Sequence, residues 1–193
     1  LKTDKRLDIG GGINKRIKKI IKIIIKRGHS IGLHPGYNTF NNENNLKITY
    51  NLFVELLTKN GLESSDIISR QHYLRWTTPR TQNILSNKKI LKDSTLGYAD
   101  RAGFRCGTCK EYYMYDALKQ KQLKLKQMPL IVMEGTLLGE EYMNMSTKKS
   151  LKYITKLIET CKKTRGQFVL LWHNSYLNNK KHMKLYQSVI NSV

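Results

Sequence analysis

Phe168-Val169-Leu170-Leu171-Trp172-His173-Asn174 is an apolar run of strand length closed by a polar pair. A strand with one wet face alternates apolar and polar residues, whereas a continuous apolar run is expected of a strand buried on both faces, the form found in parallel sheets. Other stretches end the same way. Ile31-Gly32-Leu33 runs into His34, Ile90-Leu91 leads to Asp93, and Leu130-Ile131-Val132-Met133 stops at Glu134. A chemically capable side chain therefore stands at the end of each predicted strand.

Between these runs the spacing is helical. Ile13, Ile17, Ile20, Ile21, Ile24 and Ile25 share one face, with lysines on the other and Gly28 as the stop. Helices are also predicted over 46–59, from Thr78 as N-cap and Pro79 as first helical residue to about Lys88, from Ser146 to Gly166, and over 180–192. Short strands are expected at His29–Leu33, at Ile67 and Ile68, and at Pro129–Met133, with a long irregular loop over Leu96–Tyr112. Buried strands alternating with helices make βα units and a mainly parallel sheet, open or closed as a barrel. One α/β domain over residues 1–193 is expected. In either form chemistry gathers where strands end, so His34, Asp93, Glu134 and His173 are expected on one rim. Of these, Glu134 reads best as a satisfied structural residue.

The formal net charge is +21, with 35 Lys and Arg against 14 Asp and Glu. A basic chain raises the possibility of a polyanionic partner. Yet lysine supplies 26 of the 35 cations and is spread throughout, and with 15 asparagines and 18 isoleucines it matches a bias toward AT-rich codons. Arginine, the better phosphate fork, is not clustered on one element. Three cysteines cannot build a disulfide framework, so a reducing, cytoplasmic setting is expected. No apolar run approaches a membrane span, and Lys22 interrupts the run from Ile20 to Ile25.

His34 follows a predicted strand, and His72 lies in Arg70-Gln71-His72-Tyr73-Leu74-Arg75-Trp76, a mixture of cations, imidazole and aromatic rings suited to a sugar face or a phosphate. Neutral imidazole suits zinc, and a catalytic zinc takes about three protein ligands. Two histidines supply two of these. Cys106-Gly107-Thr108-Cys109 is a CxxC in mid-loop, without a second pair to complete a zinc site or a strand and helix to make it a redox motif. Glycine-rich phosphate loops and the G-x-S-x-G turn are absent, and Gly10-Gly11-Gly12 has no strand before it.

Read in order, five segments resemble one family. Gly28-His29-Ser30-Ile31-Gly32-Leu33-His34-Pro35 resembles the GHEIGxH motif of polysaccharide deacetylases of the NodB-homology type, carbohydrate esterase family 4. Arg70 through Pro79 resembles that family's arginine–proline motif in its RQHYLR variant. Asp93-Ser94-Thr95-Leu96-Gly97-Tyr98 with Gly103-Phe104-Arg105-Cys106-Gly107-Thr108 resembles its middle aspartate region. Pro129–Met133 resembles a barrel strand, and Leu170-Leu171-Trp172-His173-Asn174 resembles the last motif. The resemblance covers about residues 28–175.

That resemblance implies a distorted (β/α) barrel, a divalent metal, zinc by its donors, and hydrolysis of an N-acetyl or related acyl group on a carbohydrate. It implies that His34 is the first metal histidine, His173 the general acid, Asp93 the group that orients or tunes it, and Arg75 the arginine that positions the catalytic carboxylate. Asn38 stands where the second metal histidine is expected, and His72 is the candidate replacement. The motif with the base and metal aspartates is expected on a strand before Gly28. Asp4 and Asp8 have no apolar strand before them, so the chain is expected to begin after that strand. Two other readings stay open. One is a carbohydrate-binding relative without turnover, using Tyr37, Trp76 and Trp172 as stacking surfaces. The other is a basic nucleic-acid-binding protein; on the leading reading the partner is a carbohydrate and nucleic acid is not expected.

Overall fold

A computed structural model describes residues 15–62, 67–88 and 90–193. Asp4, Asp8, the Gly10–Gly12 run and Ile13 lie outside these residues. The chain divides into two compact units. The first is built from residues up to Thr95 together with Tyr113–Gln127, the second from Leu96–Tyr112 together with Met128–Val193.

In the first unit, the isoleucine-striped helix α1 spans Lys15–Lys26 and ends at Gly28, whose φ of 75° suits glycine alone at low cost. Helix α2, Glu43–Lys59, starts earlier than its apolar pattern because the Asn42 side chain accepts from Asn45 N. The strand expected at His29–Leu33 reduces to a parallel bridge between Leu33 and Ser69. Strands β1 (Ile68–Ser69) and β2 (Lys92–Asp93) pair in parallel, Ser69 opposite Asp93. Helix α3, Arg80–Asn87, has Pro79 rather than Thr78 at its N-cap. Thr78 instead accepts the indole N–H of Trp76 at 3.1 Å, and Thr81 organises the first turn by accepting from Thr77 N.

No element is expected over 113–128, and the structure places a hairpin there. Strands β3 (Tyr112–Asp116) and β4 (Lys121–Gln127) complete a sheet of order β1-β2-β4-β3, with β4 parallel to β2. Lys-Gln-Leu-Lys-Leu-Lys-Gln alternates with period two. Leu123, Leu125 and Gln127 are buried while Lys121, Gln122 and Lys124 face solvent. Helix α3 packs on β4 through the inward face, burying Ile84 and Leu85.

In the second unit, β5 (Val132–Met133) pairs in parallel with β6 (Leu170–Leu171), Met133 opposite Leu171. The run Phe168–Trp172 is half-buried rather than enclosed on both faces, and only its centre pairs. Helix α4 (Glu134–Leu138) leaves β5 without a linker, a turn the apolar pattern does not reveal. Helix α5 (Thr147–Lys163) is capped by Ser146 and buries Ile154, Ile158 and Cys161, as its spacing predicts. Helix α6 (Lys180–Ile190) adds Leu185 and Val189 to the same core. The irregular path expected over Leu96–Tyr112 is present up to the start of β3.

The α/β class and the parallel pairing are as expected. The strands belong to a four-stranded and a two-stranded sheet, and closure into a barrel is not among these pairings. Among the described residues no helix is long and apolar enough to cross a membrane.

Candidate active site

In the first unit, parallel register brings the residues after Leu33, Ser69 and Asp93 to one sheet edge. Beneath that edge lies a buried polar network. Asp93 is 0% exposed and accepts from Ser69 Oγ at 2.6 Å and Thr95 N at 2.8 Å. Arg70 donates to Ser94 O at 3.0 Å and Ser94 Oγ at 2.7 Å, and Thr95 Oγ1 accepts from Gln71 N at 2.9 Å. Burial pushes the Asp93 carboxyl up, opposed by its hydrogen bonds and by the Arg70 charge; burial also pulls Arg70 down, opposed by Asp93.

The sign of the Asp93 shift gives a stability test. Because its folded pKa lies above its unfolded one, its contribution is full below the unfolded value and is lost as pH rises through the folded value. Asp93→Asn removes that titration. The stability of the parent relative to Asp93→Asn, read from urea midpoints, is expected to fall as pH is raised from about 4 toward neutrality. A difference that stays constant over that range would refute the assignment.

His34 Nδ1 donates to Arg70 O at 2.7 Å, which leaves Nε2 as its lone-pair nitrogen. The His72 ring, in a 3-10 turn at His72–Leu74, lies edge-on to it with centroids 5.0 Å apart. Two imidazoles bound to one ion at bond lengths of about 2.0–2.1 Å would have centroids about 5 Å apart. The centroid spacing is thus compatible with two positions of a divalent-metal site. The pair does not complete one, because no group of three or more His, Cys, Asp or Glu side chains able to hold a metal occurs among the described residues.

Arg75 is clamped between the rings of Tyr37 and Phe40, 3.9 Å from each centroid, and donates to Tyr37 O and Asn38 Oδ1. These contacts tie the loop after His34 to the His72 turn. Asn38, in the place expected for a second histidine, faces Arg75. Tyr37 also meets the edges of His72 and Tyr73. Tyr73 was not singled out by sequence, yet it is 64% exposed and stacks edge-on to His72. Tyr73 and Leu74 both adopt left-handed backbone, φ 56° and 51°, a strained pair of the kind that collects at functional sites. Trp76 is half-buried beside Thr78.

In the second unit, parallel pairing of β5 and β6 sets Glu134 and His173 at the same strand ends. Glu134, expected to be merely structural, is 0% exposed and its Oε1 lies 2.5 Å from His173 Nδ1. The imidazole is half exposed. Among the described residues Glu134 Oε2 has no hydrogen-bond partner, and Oε1 is held by the imidazole. The Tyr176 hydroxyl lies near enough for its pKa to be raised, by burial first and then by the Glu134 charge. Trp172 packs into the core of this unit and tilts against Tyr186 at 5.2 Å. Cys106 and Cys109 point to different partners, Leu96 O and Thr164 Oγ1, and are free thiols.

No family model matches the chain, and no curated protein does. Solved structures that align with it include a probable polysaccharide deacetylase from Pseudomonas aeruginosa PAO1 and the Puue allantoinase. Each does so with a TM-score of 0.61 and 12% identity, over 92% of this chain and 57% of the other. The chain thus spans little more than half the length of either. At this identity the likeness is one of fold, and it agrees with the resemblance carried by the five motifs. The chain has the NodB-type α/β fold that a polysaccharide deacetylase and an allantoinase share.

Proposed function

We propose that this chain works as a hydrolase of C–N amide bonds on the polysaccharide-deacetylase pattern, removing an N-acetyl or related acyl group from a carbohydrate. The observation that carries the reading is the His173–Glu134 pair at the ends of two parallel strands. Amide hydrolysis stalls unless the departing nitrogen is protonated. Glu134 accepts from Nδ1 and fixes the tautomer, so Nε2 is the atom that holds and delivers that proton. The buried carboxylate then stabilises the imidazolium between turnovers.

His34 and His72 would hold a divalent ion, zinc by donor type. When bound, such an ion polarises an acyl carbonyl and acidifies water. The role of Arg75 on this reading is to keep the Tyr37 loop and the His72 turn in register, so that both imidazoles face one point. Tyr37, Tyr73 and Trp76 supply the rings against which a sugar face would lie.

The test is acetate release from N-acetylated chito-oligosaccharides by the complete chain supplied with zinc. Release above the no-enzyme rate supports the reading. Retention of the same oligosaccharides without release would favour the carbohydrate-binding reading. For the metal, His34→Ala is expected to abolish zinc uptake, read as bound metal per chain after gel filtration, while leaving the melting temperature within about 2 °C because the residue is exposed. Unaltered metal content in that variant would remove His34 from the site.

A further inference from the structure

We propose that the outward face of the β3–β4 hairpin is a docking surface for an acidic polysaccharide. Alternation along β3 turns Met114 and Asp116 inward and leaves Tyr113 49% and Tyr115 54% exposed on the other side. Residues two apart on a strand stand about 7 Å from one another on the same face, so the two rings form one platform. Gln122 and Lys124 line the exposed side of β4, and Lys126 Nζ sits 4.8 Å from the Tyr113 ring centroid. Aromatic platforms thus alternate with cations across one surface.

The platform is held from behind. Gln82 Nε2 donates to Tyr115 O at 2.8 Å and Asn83 Nδ2 to Asp116 Oδ2 at 2.8 Å. Asp116 Oδ1 closes the turn by accepting from Leu118 N at 3.0 Å and Lys119 N at 3.1 Å. Little ordering of this backbone is left to be done when a partner binds. The acid on these strands, Asp116, is buried and pairs with Lys119 at 3.8 Å, which leaves Lys124 and Lys126 as the cations of the outward face of β4. An aromatic ring takes the C–H face of a sugar, and a lysine beside it takes a carboxylate or sulfate. Arginine, the better reader of phosphate backbones, is absent from 112–127. The surface contains none of the residues assigned above to hydrolysis. The choice of a glycan among polyanions rests on the carbohydrate reading, but the binding itself does not require turnover.

The experiment is affinity electrophoresis of the complete chain through polygalacturonate, its fully methyl-esterified form, and mixed-sequence single-stranded DNA, at physiological salt. The parent is expected to be retarded by polygalacturonate and little by the ester. The double change Tyr113→Thr with Tyr115→Thr keeps strand propensity and should raise the apparent Kd about ten-fold or more. Lys124→Gln with Lys126→Gln, both outward, should do the same and serves if the tyrosine variant does not fold. An undiminished affinity in a folded tyrosine variant would overturn the proposal, as would no retardation of the parent. Tighter binding to DNA, with the same tyrosine dependence, would reassign the surface to nucleic acid. Acetate release measured on the same preparations separates failure of this proposal from failure of the hydrolase reading.

Discussion

His173→Asn is expected to lower turnover on an N-acetylated oligosaccharide by about 10²–10⁴-fold, the usual worth of a positioned general acid. Asparagine preserves a polar contact to Glu134 but has no titrating nitrogen. Glu134→Gln keeps an acceptor oxygen for Nδ1 and loses the charge that stabilises the imidazolium, so a smaller loss is expected, and Glu134→Leu should fall to the level of His173→Asn. Stability should move the other way for the glutamine variant. Glu134 is wholly buried and its Oε2 has no partner among the described residues, so removing its charge should leave the melting temperature unchanged or raise it. Loss of turnover without loss of stability is what separates a positioning residue from a structural one. Near-full turnover in His173→Asn, with an active parent, would sink the acid assignment.

The second large effect concerns packing in the unit that contains this pair. A Cβ added at Gly166 would collide with Cys109 Sγ and stand 3.1 Å from Cys109 O. Neither side can retreat easily. Gly166 N donates to Cys161 O at 2.9 Å, and Gln167 N donates to Cys109 O at 2.8 Å. Gly166→Ala is therefore expected to cost about 2–3 kcal/mol, which in a chain of this size lowers the melting temperature by about 4–12 °C. Adding Cys109→Ala removes the sulfur but not the carbonyl contact, so it should restore part of the loss only. Gly135→Ala is the control. Its nearest neighbour is Tyr176 Oη at 3.5 Å, ordinary contact, and on α4 it should be neutral or mildly stabilising. A Gly166→Ala chain melting with the parent would mean that the contact relaxes without cost.

What sequence makes legible here is local. Ser146 caps α5 through its own neighbours, and a polar residue after an apolar run marks a strand end wherever the strand lies; that is why His34, Asp93 and His173 stand out. Strand extent depends on partners elsewhere, so Phe168–Trp172 pairs over two residues where a longer run was expected. The hairpin was hidden because its lysines read as diffuse charge, although Leu123 and Leu125 alternate with them. The partner of Glu134 was hidden for a related reason. It lies 39 residues away, and only the Met133–Leu171 register brings the two together. The place of Glu134 as the first residue after an apolar run puts it on the same rim as His173, but nothing local shows that the two pair.

The interleaved chain order of the two units bears on how the protein can be made. Strand β4 is an inner strand of its sheet, yet it is encoded after the Leu96–Tyr112 segment of the other unit. During synthesis β2 waits for its second neighbour until Gln127 has left the ribosome, and Leu96–Tyr112 waits longer still for β5 and α5. No single cut yields two self-sufficient halves: a chain stopped at Thr95 lacks two strands of its sheet, and one begun at Tyr113 carries those strands without the rest. Nascent chains of intermediate length should therefore be the species that most need chaperone protection.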